Sequence, residues 1–437
     1  MRKKKKVAIY TLGCKLNQAE SSAIADALNK NDYQIVRFDE MSDVYIINTC
    51  TVTHTSDSKS RQAIRKAIKR NPNAFVVVTG CYAQICPEEI AKIKGVNLIV
   101  GNFDKQNIPM LLNDNFMEDT FRSAKIIHNS SSEHFIKMPI SNYDRTRAFV
   151  KIQEGCKNYC SYCIIPYARG MPRSCKPDDI FAEIEKLIKR GYREIVLTGI
   201  HVGSYGLDIA PPTNFTELVG GLVELAGEFR IRVSSIEPNE ITEELINIIA
   251  QSDKLCAHLH IPLQSGDDSI LSAMRRKYDT SYYEKLIKSI RNRIPDIAIT
   301  TDVMVGFPGE DEETFKNTYD FCKKIHFSEM HVFKYSIRKG TPAAQMHNQV
   351  AAEDKECRSR KLINLAYEMS KTYRERFLGK RLNVLIEKVL GGHAEGISNN
   401  YLRVNCYTVG NKKLLKGSLS DVKIENIDDD KLRGVVI

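Results

Sequence analysis

Ile152-Gln-Glu-Gly-Cys-Lys-Asn-Tyr-Cys-Ser-Tyr-Cys-Ile-Ile-Pro-Tyr-Ala-Arg-Gly170 sets Cys156, Cys160 and Cys163 at C-x3-C-x2-C spacing on one short loop. Three thiolates so placed reach adjacent corners of an iron-sulfur cluster. A cubane held by protein alone takes four cysteines, so three leave one iron open to bind something else. Thiolates also suit zinc, and a zinc knot is the rival reading of these residues taken alone.

Outward from the loop, the middle of the chain is regular. β-rich runs at residues 148–152, 194–198, 230–235, 256–261, 297–304 and 330–336 alternate with helical segments. Between the first two, Ile180, Ile184, Leu187 and Ile188 recur at helical spacing and the pattern stops at Gly191. Six strand-helix units fit a partial, open β/α barrel, whose working loops lie at the C-terminal ends of its strands. The cysteine loop follows the first strand, where such a fold keeps its chemistry. Polar or glycine-rich loops follow other strands, at residues 198–206, 234–240, 258–266, 301–310 and 335–341. Together they ring one cavity: Gly199 and Gly306 allow close backbone approach to a nucleotide, and Glu237, His260, Gln264 and Asp302 are polar contacts. His258 and His260 also read as satisfied structural histidines.

The first hundred residues alternate in the same way, with strands at 7–11, 44–48 and 75–79 and helices near 21–29, 57–70 and from Pro87. Strand-helix alternation predicts an open parallel sheet. Each strand is followed by a cysteine, Cys14, Cys50 and Cys81. Loops after parallel strands gather at one sheet edge, so these residues converge as a second three-cysteine site. Buried cysteines packing as small hydrophobes are the alternative. Cys86 is a candidate fourth ligand, although it is expected on the helix after Cys81.

At 437 residues the chain is long enough for two or three domains. Sixty-four basic against 54 acidic residues give +10, which favours an anionic partner such as nucleic acid. Twelve cysteines are too sparse for a disulfide scaffold. The eight-residue apolar run after Lys6 is too short and polar for a secretory signal, and no window reaches the roughly 18 apolar residues of a membrane span. A cytoplasmic protein with no membrane partner is expected. Residues 113–145 are polar and weakly periodic and read as a linker. Residues 352–378 read as a long helix with exposed basic residues. The last sixty residues carry short strands and Gly391-Gly392 and Gly410-Asn411 turns, enough for a small β-barrel. The expected domains are 4–116, a linker at 117–141, 142–375 and 376–437.

The motifs together resemble the radical S-adenosylmethionine (SAM) methylthiotransferases over nearly the whole chain. Gly13-Cys-Lys-Leu-Asn17, Asn48-Thr-Cys-Thr-Val52, Thr79-Gly-Cys-Tyr-Ala83, the loop at 155–170, Pro262-Leu-Gln-Ser-Gly266 and Gly306-Phe-Pro-Gly-Glu310 carry the resemblance. The segments 48–54 and 164–170 look most like the MtaB-type branch, which methylthiolates N6-threonylcarbamoyladenosine beside the anticodon. The resemblance implies an α/β fold: an N-terminal open parallel domain, a partial (β/α)6 radical SAM barrel and a TRAM-like β-barrel. It implies two 4Fe-4S clusters: an auxiliary, sulfur-carrying one on Cys14, Cys50 and Cys81, and a SAM-cleaving one on Cys156, Cys160 and Cys163. One SAM gives the methyl group and a second the radical that abstracts hydrogen from adenine C2. The implied SAM contacts are Tyr162, Gly199, Glu237, Gln264, Asp302 and Gly306. The implied RNA contacts are Arg169, Arg338, Arg374 and Arg381. The implied partners are a tRNA anticodon stem-loop and an external low-potential electron donor. Related branches act on isopentenyladenosine or a ribosomal-protein aspartate, and share both cysteine sets. A non-catalytic iron-sulfur electron carrier or RNA-binding module is the reading from another class. Cys175 stands where the family pattern usually has a basic residue.

Overall fold

The computed structural model describes residues 4–30, 33–115, 124–132, 134–138, 140, 146–409 and 414–437. Six strands, β1 (Lys5–Thr11), β2 (Tyr33–Val36), β3 (Val44–Thr49), β4 (Phe75–Gly80), β5 (Leu98–Val100) and β6 (Lys125–Ile127), form a sheet in the order β2-β1-β3-β4-β5-β6. Every pairing is parallel. β3 is buried from end to end, as a central strand covered on both faces requires. β2 and β5 are too short to register as periodic runs. β6 corrects the linker reading: Lys125-Ile-Ile127 pairs with β5 and extends the sheet into that segment. The expected boundaries at 116/117 and 141/142, and the Gly410-Asn411 turn, lie outside the described residues.

The middle domain contributes β7 (Arg147–Lys151), β8 (Gln153–Glu154), β9 (Arg173–Ser174), β10 (Glu194–Thr198), β11 (Arg230–Val233), β12 (His258–His260), β13 (Ala298–Val305) and β14 (Glu329–Lys334). β7-β10-β11 and β12-β13-β14 are two parallel sheets. Parallel bridges Ile231–Leu255 and Ser235–His260 join them into one open wall of six strands in chain order. The expected strand at 256–261 shrinks to β12, with Cys256 buried just before it. Helix Pro177–Lys189 lays Ile180, Ile184 and Leu187 on this wall, the face its spacing predicts. β8 and β9 form a two-residue antiparallel brace that ties together the two ends of the cysteine loop.

Helix Ala352–Glu375 leads to β15 (Arg381–Leu390), β16 (His393–Ser398), β17 (Arg403–Tyr407), β18 (Leu419–Asp428) and β19 (Lys431–Val436), a closed barrel. Buried arginines dock it. Glu194 holds Arg230 and Arg232 at 2.6 and 2.8 Å. Their remaining N–H groups donate to carbonyls of the barrel: Arg230 to Ile397 at 2.8 Å, Arg232 to Ser398 at 3.0 Å. Among the described residues no helix is long and apolar enough to cross a membrane.

Candidate iron-sulfur and substrate site

The N-terminal trio forms as the sheet topology requires. Cys50 follows β3 directly, and Cys81 opens the short helix Cys81–Ile85 after β4. Gly13 brings the Cys14 loop onto them. Its φ is +99°, and a Cβ there would stand 2.9 Å from Cys50 Cβ and 3.1 Å from Cys50 Sγ, so only glycine lets the loop lie this close. Asn102 Nδ2 reaches Cys81 Sγ at 3.6 Å. Cys86 is not on the following helix: it sits between helices Cys81–Ile85 and Pro87–Ala91, beside the charges of Glu89 and Asp57.

The second trio lies past β7 on a loop folded back on itself. Gly155 has φ +77°, and a Cβ there would lie 1.9 Å from the Met171 carbonyl oxygen. The Cys156 N–H donates to Gly170 O at 3.0 Å. Three groups address the sulfurs: the Asn158 N–H donates to Cys156 Sγ at 3.5 Å, His201 Nδ1 lies 3.7 Å from the same sulfur, and Arg276 donates to Cys160 Sγ at 3.4 Å. His201 is held by Glu240 at 2.6 Å, and Arg276 pairs with Glu237.

None of the six cysteines is in a disulfide. Burial, and then the neighbouring thiols, push Cys50 up to about 11 and Cys163 up to about 12. A trio of desolvated thiols ionises readily only when a cation neutralises it, so binding and proton release are linked. Among the described residues no three His, Cys, Asp or Glu side chains close around a single metal ion. Thiolates on separate irons of one cluster need no such convergence. Donor chemistry and glycine cradles fit two clusters, each with an open iron.

The two loops are stapled to each other. Arg169, 1% exposed, crosses from the second loop to Glu20 and Asn17, with Nη2 3.0 Å from Glu20 Oε2. Asn17 Nδ2 continues to Thr49 O at 3.0 Å, next to Cys50. Asn102, already at Cys81, also donates to Ala168 O at 2.8 Å. Lys105 and Lys151 complete the cationic shell around Glu20.

Of the expected SAM contacts, Glu237 reaches Cys160 through Arg276, and Tyr162 packs edge-on to Phe307 beside the same loop. Gln264, at φ +67°, and Asp302 are neighbours through the Gln264 N–H to Asp302 O bond of 2.8 Å. Asp302 is flanked by His260 at 3.3 Å and His331 at 3.5 Å. Gly306 gives its N–H to Glu310 at 2.7 Å, and Gly199 packs against Val202 and Gln153.

Three expected RNA contacts are corrected. Arg169 is the internal staple. Arg338, 6% exposed, joins Asp57 at 2.6 Å and Thr51 O at 2.9 Å across the domain boundary. Arg374, also 6% exposed, turns back to Ser370 at 2.7 Å on its own helix. Only Arg381 of the four is exposed. Cys175 is buried, with its N–H on Ile152 O, and burial pushes its thiol up to about 12.

Sequence reasoning missed Arg276, His201, Asn102, Glu20 and Lys15. The first four lie far in the chain from their partners; for Lys15, its place beside Cys14 was the available signal. Burial, with Arg232 and Arg147 nearby, lowers the Lys15 amine to about 8.

Residues 6–101 match a family described as Uncharacterized protein family UPF0004, and residues 150–322 match the Radical SAM superfamily. The chain is 43% identical over 405 residues to the threonylcarbamoyladenosine tRNA methylthiotransferase MtaB of Bacillus subtilis, covering 91% of this chain and 89% of that protein. The Thermotoga maritima MtaB is 35% identical over 98% and 96% of the two chains. A tRNA-2-methylthio-N(6)-dimethylallyladenosine synthase of Clostridium botulinum is 36% identical, again over 98% and 96%. Among solved structures, the radical SAM methyltransferase TsrM from Kitasatospora setae, with cobalamin and a 4Fe-4S cluster bound, shares the fold. Its TM-score is 0.58 at 15% identity, over 78% of this chain and 77% of that one.

Proposed function

The chain belongs to the radical SAM tRNA methylthiotransferases, and from that premise we propose that it methylthiolates C2 of N6-threonylcarbamoyladenosine beside the anticodon of tRNA. The observation that carries this reading is the staple through Arg169 and Asn102, which fixes the two cysteine trios against one another. The substrate follows the MtaB relatives, among them the 43%-identical one.

When bound, the two 4Fe-4S clusters and SAM supply the low-potential electron, the carbon-centred radical, the methyl group and the sulfur. The chain's own work is to hold and shield. Cys156, Cys160 and Cys163 would hold the SAM-binding cluster, and Cys14, Cys50 and Cys81 the sulfur-carrying one. The Arg276 guanidinium and the Asn158 N–H donate to thiolate sulfurs, and such bonds help set the potential of a cluster. The Arg169–Glu20 network keeps the two loops in register and fills the space between them with buried, paired charge. Glu237 and Gln264, in the loops after β11 and β12, Asp302 on β13 and Tyr162 within the second loop itself would be the SAM contacts. The target base leaves its stack to enter, at a cost of a few kcal/mol, and exposed basic residues such as Arg381 offset part of that through phosphate contacts. An external donor provides the electron.

Mass spectrometry of tRNA nucleosides from a deletion strain tests the reading. Loss of 2-methylthio-N6-threonylcarbamoyladenosine supports it. Unchanged levels of that nucleoside, with loss of the dimethylallyl counterpart, would assign the chain to the other tRNA branch.

A further inference from the structure

We propose that Lys15 recognises the carboxylate of the threonylcarbamoyl group and so selects this substrate, an inference that rests on the substrate reading above. Lys15 follows Cys14 and begins helix Lys15–Lys30. Its side chain leaves the N-terminal domain for the junction of all three domains. The amine stands 5.9 Å from the ring centre of Tyr401, on the C-terminal barrel. Within electrostatic range are Arg232, Arg147, Glu194 and Asp302, all of the middle domain.

What distinguishes Lys15 is that, among the described residues, this partly buried ammonium has no carboxylate within ion-pair distance. Among the described residues it makes no hydrogen bond and no ion pair; its one specific contact is the Tyr401 ring. The two carboxylates in range are already taken, Glu194 by Arg230 and Arg232, Asp302 by His260 and His331. A charge withdrawn from water without a partner is costly. Neither the sheet nor the apolar packing needs an ammonium there, so the charge serves something that enters from outside. Tyr401, Arg147 and His331 also line a cavity of about 580 Å³, in the size range of small-molecule sites.

The chemistry of the incoming group follows. Threonylcarbamoyladenosine ends in a carboxylate, whereas dimethylallyladenosine ends in a hydrocarbon. A base presented by C2 to the loop of Cys14 carries its N6 substituent further along the same ring edge, into the region that a side chain rooted one residue after Cys14 reaches. The carboxylate then supplies the missing counter-ion. A hydrocarbon leaves the ammonium unpaired, which discriminates against it as well as failing to attract it.

The test uses the reconstituted full-length enzyme and three labelled anticodon stem-loops. They carry threonylcarbamoyladenosine, its methyl ester, or N6-dimethylallyladenosine. Binding is read by fluorescence anisotropy and turnover by product mass. The wild-type enzyme is expected to prefer the acid over the ester by about 10- to 100-fold, the range of one charge-assisted hydrogen bond. Lys15→Met should lower the acid to the level of the ester and leave the ester unchanged, and Lys15→Arg should restore part of the preference. Equal binding of acid and ester by the wild-type enzyme overturns the proposal and needs no variant. A Lys15→Met loss equal for both RNAs overturns it too, by assigning Lys15 to the fold or to a phosphate. In both cases turnover of the acid RNA leaves the substrate reading standing; turnover of the dimethylallyl RNA alone overturns both.

Discussion

Arg169 donates through both arms of its guanidinium to Glu20, from the loop of one cysteine trio to the helix that follows Cys14 of the other. Both residues are almost wholly shielded from solvent. Burial alone would raise the Glu20 carboxyl, but Arg169, Lys105 and Lys151 outweigh it and hold the group far below its ordinary range. Removing one partner of such a pair leaves the other charge buried, which costs about 3–5 kcal/mol. Glu20→Gln should cost at least as much as Arg169→Met, because it leaves Arg169 and Lys105 as unneutralised neighbours. Urea unfolding measures both. A loss below about 1 kcal/mol for either would show that the two loops are not held by this pair.

The docking of the C-terminal barrel should depend on pH through Glu194. Burial works to raise its carboxyl, and Arg232 and Arg230 overcome that, bringing it from 4.5 down to about 2. A lowered folded-state value means stability that is present above pH 4.5 and is lost as the pH falls toward 2. The difference of about 2.5 units corresponds to about 3 kcal/mol. Glu194→Gln should lack that component, so the wild-type and variant stabilities, followed by circular dichroism, should converge as the pH falls through this window. Parallel acid titrations would refute the role given to Glu194.

The longer strands, and the placing of cysteines just past them, were legible because their signals are local, as in the buried run of residues 44–49 that Cys50 follows. The parallel order of the first sheet followed from the same alternation. β6 was not legible, since three residues carry no periodicity and only pairing with β5 makes Lys125–Ile127 a strand. The arginines show the same limit from the other side. Arg169, Arg338 and Arg374 look in sequence like any basic residue on a nucleic-acid-binding protein. Their acceptors, Glu20, Asp57 and Ser370, decide otherwise, and the first two lie 149 and 281 positions away. Charge composition predicts a partner for the surface; it does not say which cations reach the surface.

Gly155 tests the placement of the SAM-binding cluster without touching a ligand. An alanine Cβ would lie 1.9 Å from Met171 O, at a φ that side chains rarely adopt. Gly155→Ala should therefore open the loop that gathers Cys156, Cys160 and Cys163. Two four-iron clusters give about eight irons per chain after reconstitution, and the variant should hold about four, as should the Cys156/Cys160/Cys163→Ala triple variant. Iron analysis with 5′-deoxyadenosine formation reads both. Eight irons in the triple variant would place the cluster elsewhere.

Salt dependence of RNA binding separates surface arginines from internal ones. If about five phosphates are neutralised, the log-log slope for a single-stranded substrate should be roughly −3.5, each contact contributing about 0.7. Arg381 is exposed at the start of β15, so Arg381→Ala should make the slope shallower by about 0.7. Arg338 gives its guanidinium to Asp57 and Thr51, so Arg338→Ala should leave the slope unchanged while lowering stability, since it strands Asp57 near the domain boundary. Anisotropy titrations of one stem-loop at several salt concentrations measure all three proteins. A wild-type slope near zero would remove RNA as the partner, and a shallower slope for Arg338→Ala would show that this guanidinium meets phosphate rather than Asp57.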